Sequence, residues 1–315
     1  MGLRNPIKLA STLSERLGGA VIVNVHQLSG GTSRETWSFD AGGRGLILQC
    51  QRQSDDAVRL GLDSQTALLR AVRAASVPVP EVVASGEGDP DVGDWMIVER
   101  LDGETIPRKI LRDDTFAAVR PRLTADVATA LARIHSIPLG TVASLERRDE
   151  VAAYRRILDD VGEPHPAFEL AFRWLERNRP PPSEPAVVHG DFRMGNFIVS
   201  AGGLRAVLDW ELAHIGDPLE DLGWICVKSW RFGGTLPVGG FGKREELHAD
   251  YERASGRTID PDAARWWEVF GTLRWGVICI MQAMRHLSGA ERSVELAAIG
   301  RRVAEVEHDV MAYLP

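Results

Sequence analysis

The chain has 315 residues, of which 44% are hydrophobic and 26% are charged. These proportions are typical of a globular protein, and the length favours two domains or two lobes of one unit. The formal net charge of −7 argues against general nucleic-acid binding, which needs a basic face, and we expect no nucleic-acid partner.

The cysteines argue against a disulfide-rich or zinc-binding protein, and the hydropathy argues against a membrane-spanning one. Cys50, Cys226 and Cys279 are widely separated and odd in number, which predicts neither a disulfide framework nor a zinc site. The longest apolar run, around residues 277–281, is too short to span a bilayer. We therefore expect a cytoplasmic protein with no membrane partner.

The first hundred residues have the pattern of a small, β-rich unit with two helices. Apolar positions at helical spacing predict helices over 6–18 and 57–75. Short β-branched or aromatic segments bounded by turn residues predict strands. These strands cover residues 21–28, 36–39, 46–50, 81–84 and 95–99.

After Gly103 the pattern becomes mainly helical. It predicts helices over 114–136, 149–160 and 166–178, two short strands over 197–199 and 204–208, and a helical remainder from about 218. The sequence therefore predicts an α+β, bilobal protein. Residues 1–102 would form a β-rich N-terminal lobe, and residues 103–315 a helical C-terminal lobe.

One segment carries the strongest chemical signal. It has the form His-x-Asp, four residues, Asn, over 189–196, and Asp209 follows Asn196 by thirteen residues. Phosphoryl transfer needs a positioned acceptor, and Asp191 is placed to accept or orient the proton of the attacking hydroxyl. Asn196 and Asp209 offer hard oxygen ligands suited to Mg²⁺. The alternative is a hydrogen-bonded hairpin with accidental polar residues, which the order of the residues disfavours.

This segment resembles the catalytic segment of the aminoglycoside phosphotransferase and choline kinase group, which has a protein-kinase-like fold. Within that group the chain looks nearest to the branch with kinase domains fused to acyl-CoA dehydrogenases. The resemblance implies that Asp191 is the catalytic aspartate, that Asn196 and Asp209 hold metal, and that His189 supports the loop. Residues 216–222 match a further signature, in which Asp221 would brace the catalytic loop.

Two N-terminal features fit a nucleotide site. A glycine-rich turn could cradle phosphate oxygens with its N–H groups and hydroxyls. Its residues are Ser29, Gly30, Gly31, Thr32 and Ser33. Residues 96–103 resemble the hinge between the lobes, where the backbone of Glu99 and Leu101 would pair with adenine.

One departure from the family pattern concerns the phosphate-binding cation. Relatives place Lys or Arg on the third strand, paired with Glu on the following helix. In this sequence the corresponding positions are Gln49 and Gln65. Either the two glutamines form a neutral amide–amide contact, or the correspondence is shifted along the chain.

The resemblance implies a kinase that uses ATP, or another nucleoside triphosphate, and Mg²⁺ to phosphorylate the hydroxyl of a small molecule. The missing cation keeps a second interpretation open, a pseudokinase or nucleotide-binding module without turnover. Within the kinases, the substrate is either an aminoglycoside or a metabolic hydroxyl compound such as a hydroxyacyl thioester. Arg274 and Arg285 lie about three helical turns apart, and would suit a neutral or anionic substrate if their face bordered the cleft. The alternative is that both arginines face solvent.

Overall fold

The computed structural model describes residues 6–28, 34–51 and 59–314. The glycine-rich turn, Ser29 to Ser33, lies outside the described residues, so its predicted contact with phosphate stays a prediction. No helix in the described ranges is long and apolar enough to cross a membrane.

The N-terminal lobe is a five-stranded antiparallel sheet between two helices. The strands are β1 (Ile22–Gln27), β2 (Arg34–Ala41), β3 (Arg44–Gln51), β4 (Val82–Asp89) and β5 (Gly93–Glu99), in the spatial order β1-β2-β3-β5-β4. Helix α1 (Pro6–Arg16) packs on one face and α2 (Leu62–Ala74) lies against the other.

Strand β3 shows why the sheet has two different faces. Leu48 and Cys50 are buried in the same cluster as α1, whereas Ile47, Gln49 and Gln51 are half-buried on the opposite face. Successive side chains of a strand point to opposite faces, so this alternation directs the polar residues of β3 toward α2 and the C-terminal lobe.

The C-terminal lobe is mainly helical. Its helices are α3 (Pro107–Arg112), α4 (Leu123–His135), α5 (Glu150–Val161), α6 (Pro166–Arg177), α7 (Leu219–Cys226), α8 (Arg244–Ser255), α9 (Pro261–Leu287), α10 (Val294–Gly300) and α11 (Val303–Tyr313). Two small antiparallel sheets pair β6 (Ala186–Val188) with β9 (His214–Gly216), and β7 (Phe197–Ser200) with β8 (Gly203–Val207).

The predicted helix over 114–136 is wrong in its first half. Short 3₁₀ turns at Asp114–Phe116 and Arg120–Arg122 precede α4, which begins at Leu123. Pro121 has no N–H to continue the α-helical hydrogen bonds, which favours a break at this point. Strands β6 and β9 were not predicted, because three residues are too few to show a periodic pattern.

The predicted division into lobes after residue 102 stays a prediction, and it falls between β5, which ends at Glu99, and α3, which begins at Pro107. The lobes are joined elsewhere by backbone hydrogen bonds. The Val207 N–H donates to the Pro78 carbonyl at 2.8 Å, and the Leu60 N–H donates to the Glu211 carbonyl at 2.8 Å. The second bond ties the segment before α2 to the residues that follow Asp209.

Helix α7 approaches α9 closely at Gly223. A Cβ atom at this position would lie 2.6 Å from the Trp267 carbonyl carbon and 2.8 Å from the Glu268 nitrogen. Because both atoms are backbone, they cannot move aside as a flexible side chain would. The contact fixes the separation of the two helices.

We predict that Gly223→Ala lowers the free energy of unfolding by about 1–3 kcal/mol, the usual cost of overpacking. The measurement is urea denaturation. Gly140→Ala is the matched control, since an added Cβ there meets nothing within 4 Å. Equal stability of the Gly223→Ala and Gly140→Ala proteins would contradict the close approach.

Candidate active site

The Asp191 carboxylate is held by three donors. Arg193 Nε lies 2.9 Å from Oδ1 and 3.1 Å from Oδ2, Trp224 Nε1 lies 2.8 Å from Oδ1, and Asn196 Nδ2 lies 2.7 Å from Oδ2. Three directional hydrogen bonds fix the plane of the carboxylate. The side chain keeps 14% exposure, so a small acceptor can reach it.

His189 connects the predicted catalytic aspartate to the strand that leads to Asp209. Its Nδ1 accepts from the Asp191 N–H at 3.1 Å, and its Nε2 lies 3.0 Å from the Leu208 carbonyl, to which it donates. These partners require a neutral ring protonated on Nε2. Burial lowers the pKa of His189, in agreement with this tautomer.

The turn between β7 and β8 brings Asn196 next to Asp209. The Leu208 N–H donates to the Asn196 carbonyl at 2.8 Å. The Asn196 amide nitrogen donates to Asp191, so its oxygen Oδ1 is the atom that this side chain can offer to a cation. Asp209 has φ +65°, in the left-handed region, where a residue with a side chain is strained.

The charged form of Asp209 is disfavoured by its surroundings, and a cation would stabilise it. Burial raises the pKa of Asp209 to about 7, and the like charges of Glu211 and Asp191 add to the effect. One amide oxygen and one carboxylate fit Mg²⁺, which binds few protein ligands and takes the rest from water and phosphate. Within the described ranges, no group of three or more His, Cys, Asp or Glu side chains is arranged to hold a metal.

Asp221 is fully buried and contacts the loop over 189–196, the predicted catalytic loop. Its Oδ2 accepts from the His189 N–H at 2.8 Å, and its Oδ1 accepts from the Gly190 N–H at 3.0 Å; His135 Nε2 lies 3.3 Å from Oδ2. Burial alone would raise the pKa of Asp221, but the hydrogen bonds from the His135 ring and the His189 N–H hold it below its usual value. This geometry fits the predicted role as a brace.

Arg274 supports the same loop from α9. It is only 2% exposed and donates to the Gly190 carbonyl at 2.9 Å and to Glu220 at 3.1 Å. Arg285, at the surface, pairs with Glu291 at 2.6 Å. Arg274 is buried, so Arg274 and Arg285 neither face a substrate together nor both face solvent, because helical spacing places residues on one face without saying what covers it.

Of the two alternatives for Gln49 and Gln65, the structure does not show the first, since no hydrogen bond joins the two amides, both of which lie in the described ranges. Both ends of the Gln65 amide are taken by other groups: Nε2 donates to the Leu60 carbonyl at 2.6 Å, and Oε1 accepts from Arg34 Nη1 at 2.8 Å. Gln49 lies on β3 opposite Thr36. The cation beside Gln65 comes from β2 instead of β3.

The hinge assignment of Glu99 and Leu101 stays a prediction. The Glu99 N–H donates to the Glu81 carbonyl, and the Arg100 N–H donates to the Gly45 carbonyl, both at 2.9 Å. Pairing with adenine would therefore use the Glu99 carbonyl and the Leu101 N–H.

Sequence reasoning gave no role to two residues that contact Asp191. Arg193 lies inside the motif, two residues after Asp191, and its guanidinium sits 4.6 Å from the centre of the Trp230 ring. Trp224 comes from α7, one turn after Asp221, and the spacing of α7 could have placed it near the loop.

The chain matches the family described as "Phosphotransferase enzyme family" (APH) over residues 24–267. It is 28% identical over 218 residues to acyl-CoA dehydrogenase family member 11 of Gallus gallus, covering 64% of this chain and 27% of that protein. It is 26% identical over 213 residues to hygromycin-B 4-O-kinase of Escherichia coli, covering 62% of this chain and 60% of the relative.

Solved structures share the fold over nearly the whole chain. A Ralstonia eutropha structure provisionally described as an aminoglycoside phosphotransferase has a TM-score of 0.78 at 20% identity, covering 98% of each chain. The ternary complex of aminoglycoside phosphotransferase APH(4)-Ia with AMP-PNP and hygromycin B has a TM-score of 0.65 at 21% identity, covering 97% of each.

The chain belongs to the phosphotransferase enzyme family, since the match covers most of its length. It has the protein-kinase-like α+β fold that the sequence predicted. The predicted relationship to the branch with fused acyl-CoA dehydrogenases is also confirmed. The chain spans about a third or less of the length of these fused relatives.

A buried histidine beside the loop gives a pH-dependent prediction. Both ring nitrogens of His214 face acceptors, Glu220 at 3.1 Å and the Leu212 carbonyl at 3.0 Å, which requires the protonated ring. Burial alone would lower the pKa of His214, but Glu220, with Glu150 further away, raises it to about 9. Arg274, on the far side of Glu220, is the other charge in this group.

Because the folded pKa lies above the ordinary value of 6.5, the stabilisation is complete below pH 6.5 and is lost as the pH rises through 9. We predict that the wild-type free energy of unfolding falls by about 3 kcal/mol between pH 6 and pH 10, whereas His214→Gln lacks this component. Urea denaturation across this range gives the difference. Parallel pH profiles of the two proteins would contradict the ion pair.

Proposed function

We propose that this enzyme transfers the γ-phosphoryl group of Mg·ATP to a hydroxyl of a small molecule. The observation that carries the proposal is the Asp191 carboxylate, fixed by three donors and adjacent to the Asn196–Asp209 pair. Relatives and structural neighbours include small-molecule kinases, one of them bound to AMP-PNP, which supports the choice of nucleotide.

Asp191 takes the proton of the acceptor hydroxyl while the hydroxyl oxygen attacks the γ-phosphorus. The new O–P bond forms while the bond from phosphorus to the β–γ bridging oxygen breaks, and ADP leaves. Asn196 Oδ1 and the Asp209 carboxylate would hold Mg²⁺, which neutralises phosphate charge when bound. His189 keeps the Asp191 backbone aligned with Leu208 and so with the metal ligand that follows.

A matched pair of variants distinguishes the role of Asp191 from that of Asp209. We predict that Asp191→Asn binds Mg·ATP normally but loses turnover by about 10²–10⁴-fold, the usual contribution of a general base. Asp209→Asn should lose the Mg-dependent part of ATP binding as well. The measurements are calorimetric ATP titration with and without Mg²⁺, and ADP release.

Asp160→Asn is the control for both variants, because it makes the same chemical change at an exposed position of α5. Normal Mg·ATP binding by Asp209→Asn would remove this residue from the metal site. Full activity of Asp191→Asn would show that Asp191 is not the general base.

A cavity of about 470 Å³ borders residues 228–234, the segment whose Trp230 packs on Arg193 of the predicted catalytic loop. Its charged lining includes the cations Lys228, Arg231 and Arg302 and the acids Glu305 and Asp309. Trp230, within the same segment, packs on the Arg193 guanidinium. Lys228 pairs with Asp309 and Arg302 with Glu305, so the lining has no excess of acids to bind a polycationic aminoglycoside, and it suits a neutral or anionic acceptor better.

We predict that hydroxy acids or hydroxyacyl thioesters are phosphorylated in preference to kanamycin. Arg302→Gln should raise KM for an anionic acceptor severalfold and leave KM for ATP unchanged. Arg285→Gln, which removes a surface cation far along α9, serves as the control. Rapid phosphorylation of kanamycin at micromolar KM would contradict the charge argument.

A further inference from the structure

We propose that Arg34, on strand β2, is the cation that binds the nucleotide phosphates in this enzyme, with Gln65 as its positioning partner. The inference rests on the proposed function, because it assumes that the cleft binds Mg·ATP. It assigns to β2 the role that the third strand has in relatives, and it accounts for the two glutamines at the expected Lys and Glu positions.

The register of the sheet places Arg34 within reach of the expected site. Arg34 pairs with Gln51, and Thr36 pairs with Gln49, so Arg34 is the diagonal neighbour of Gln49 on the same face. Such neighbours are separated by roughly 7–8 Å, about the length of an arginine side chain. A guanidinium that starts on β2 can therefore reach the space above Gln49.

The side chain is held in that space. Arg34 is 11% exposed, Nη1 donates to Gln65 Oε1 at 2.8 Å, and Nη2 lies 3.3 Å from Glu211 Oε2. Burial lowers the pKa of Arg34, and the charges of Glu211 and Asp209 oppose that change. Glu211 follows the predicted metal ligand Asp209 by two residues, so the ion pair with Glu211 places the guanidinium beside the segment where phosphates would bind.

A neutral partner suits this arrangement. Gln65 is buried, and its second hydrogen bond, to the Leu60 carbonyl, fixes the amide orientation so that the oxygen faces Arg34. An amide oxygen positions the guanidinium without neutralising it. A glutamate at this position would be a third carboxylate beside Asp209 and Glu211, and would compete with phosphate for the cation.

Glu211 can release Arg34 without being left unpaired. Arg59 Nη1 lies 2.7 Å from Glu211 Oε1, a shorter contact than the one from Arg34. When Nη2 of Arg34 turns to a phosphate oxygen, Arg59 still pairs with Glu211 and Gln65 still holds Nη1. The exchange replaces one charge-assisted contact with another.

The test is the affinity of the Arg34→Gln variant for Mg·ATP, Mg·ADP and adenosine, measured by calorimetry. We expect about ten- to a hundredfold weaker binding of Mg·ATP, as for loss of a hydrogen bond between two charged groups, and unchanged adenosine binding. Arg44→Gln is the matched control, since Arg44 begins β3 and pairs with the exposed Glu81. It removes the same charge from the same sheet, outside the cleft.

A relocation variant tests the position of the cation. Arg34→Gln combined with Gln49→Lys and Gln65→Glu should recover much of the Mg·ATP affinity, because it restores the pair on the third strand and α2. Unchanged adenosine binding and thermal stability show that each variant is folded. A merely structural role for Arg34 would weaken adenosine binding equally and would not be rescued.

The outcomes distinguish this inference from the proposed function. Equal Mg·ATP binding by Arg34→Gln and wild type overturns the inference alone. A wild-type protein that binds no Mg·ATP overturns both. If wild type binds Mg·ATP and Arg34→Gln does not, the inference stands even where no acceptor is phosphorylated, and only the proposed transfer fails.

Discussion

The buried carboxylate of Asp221 is the constraint on which the geometry of the site depends. A charge removed from water must have its hydrogen bonds supplied by the protein. Here the donors are the N–H groups of His189 and Gly190 and the ring of His135. Two of these donors belong to the catalytic loop and the third to α4, so the position of Asp191 follows from the position of α7.

The residue before Asp221 connects this brace to the rest of the lobe. Glu220 pairs with Arg274 of α9 and with His214 of β9, and Arg274 also donates to the Gly190 carbonyl. Gly190 is therefore held through both its N–H and its carbonyl. Both acids lie in the first turn of α7, where the helix dipole favours negative charge.

The sequence predicted the positions of those site residues that are close together along the chain. The loop from His189 to Asn196 and the hairpin that returns to Asp209 are continuous, so their spacing was enough to place them together. Arg34 could not be found in this way, because its position depends on the register of β2 with β3 and on where α2 packs. Arg274 was misjudged for the same reason, since periodicity gives a face but not its neighbour.

Under the proposed function, a nucleotide could enter the cleft without leaving Asp191 or Glu211 unpaired. Arg193 pairs with Asp191, while Arg34 and Arg59 share Glu211. Asp209 has no part in these pairs, and the neighbouring acids add to the effect of burial in keeping its pKa high. A divalent cation would supply the positive charge that stabilises the Asp209 carboxylate. The phosphates of the nucleotide would then bind Arg34, while Arg59 remains paired with Glu211. Asp191 and Glu211 then keep a cation through binding and release, as buried charges require, and Asp209 gains one on binding.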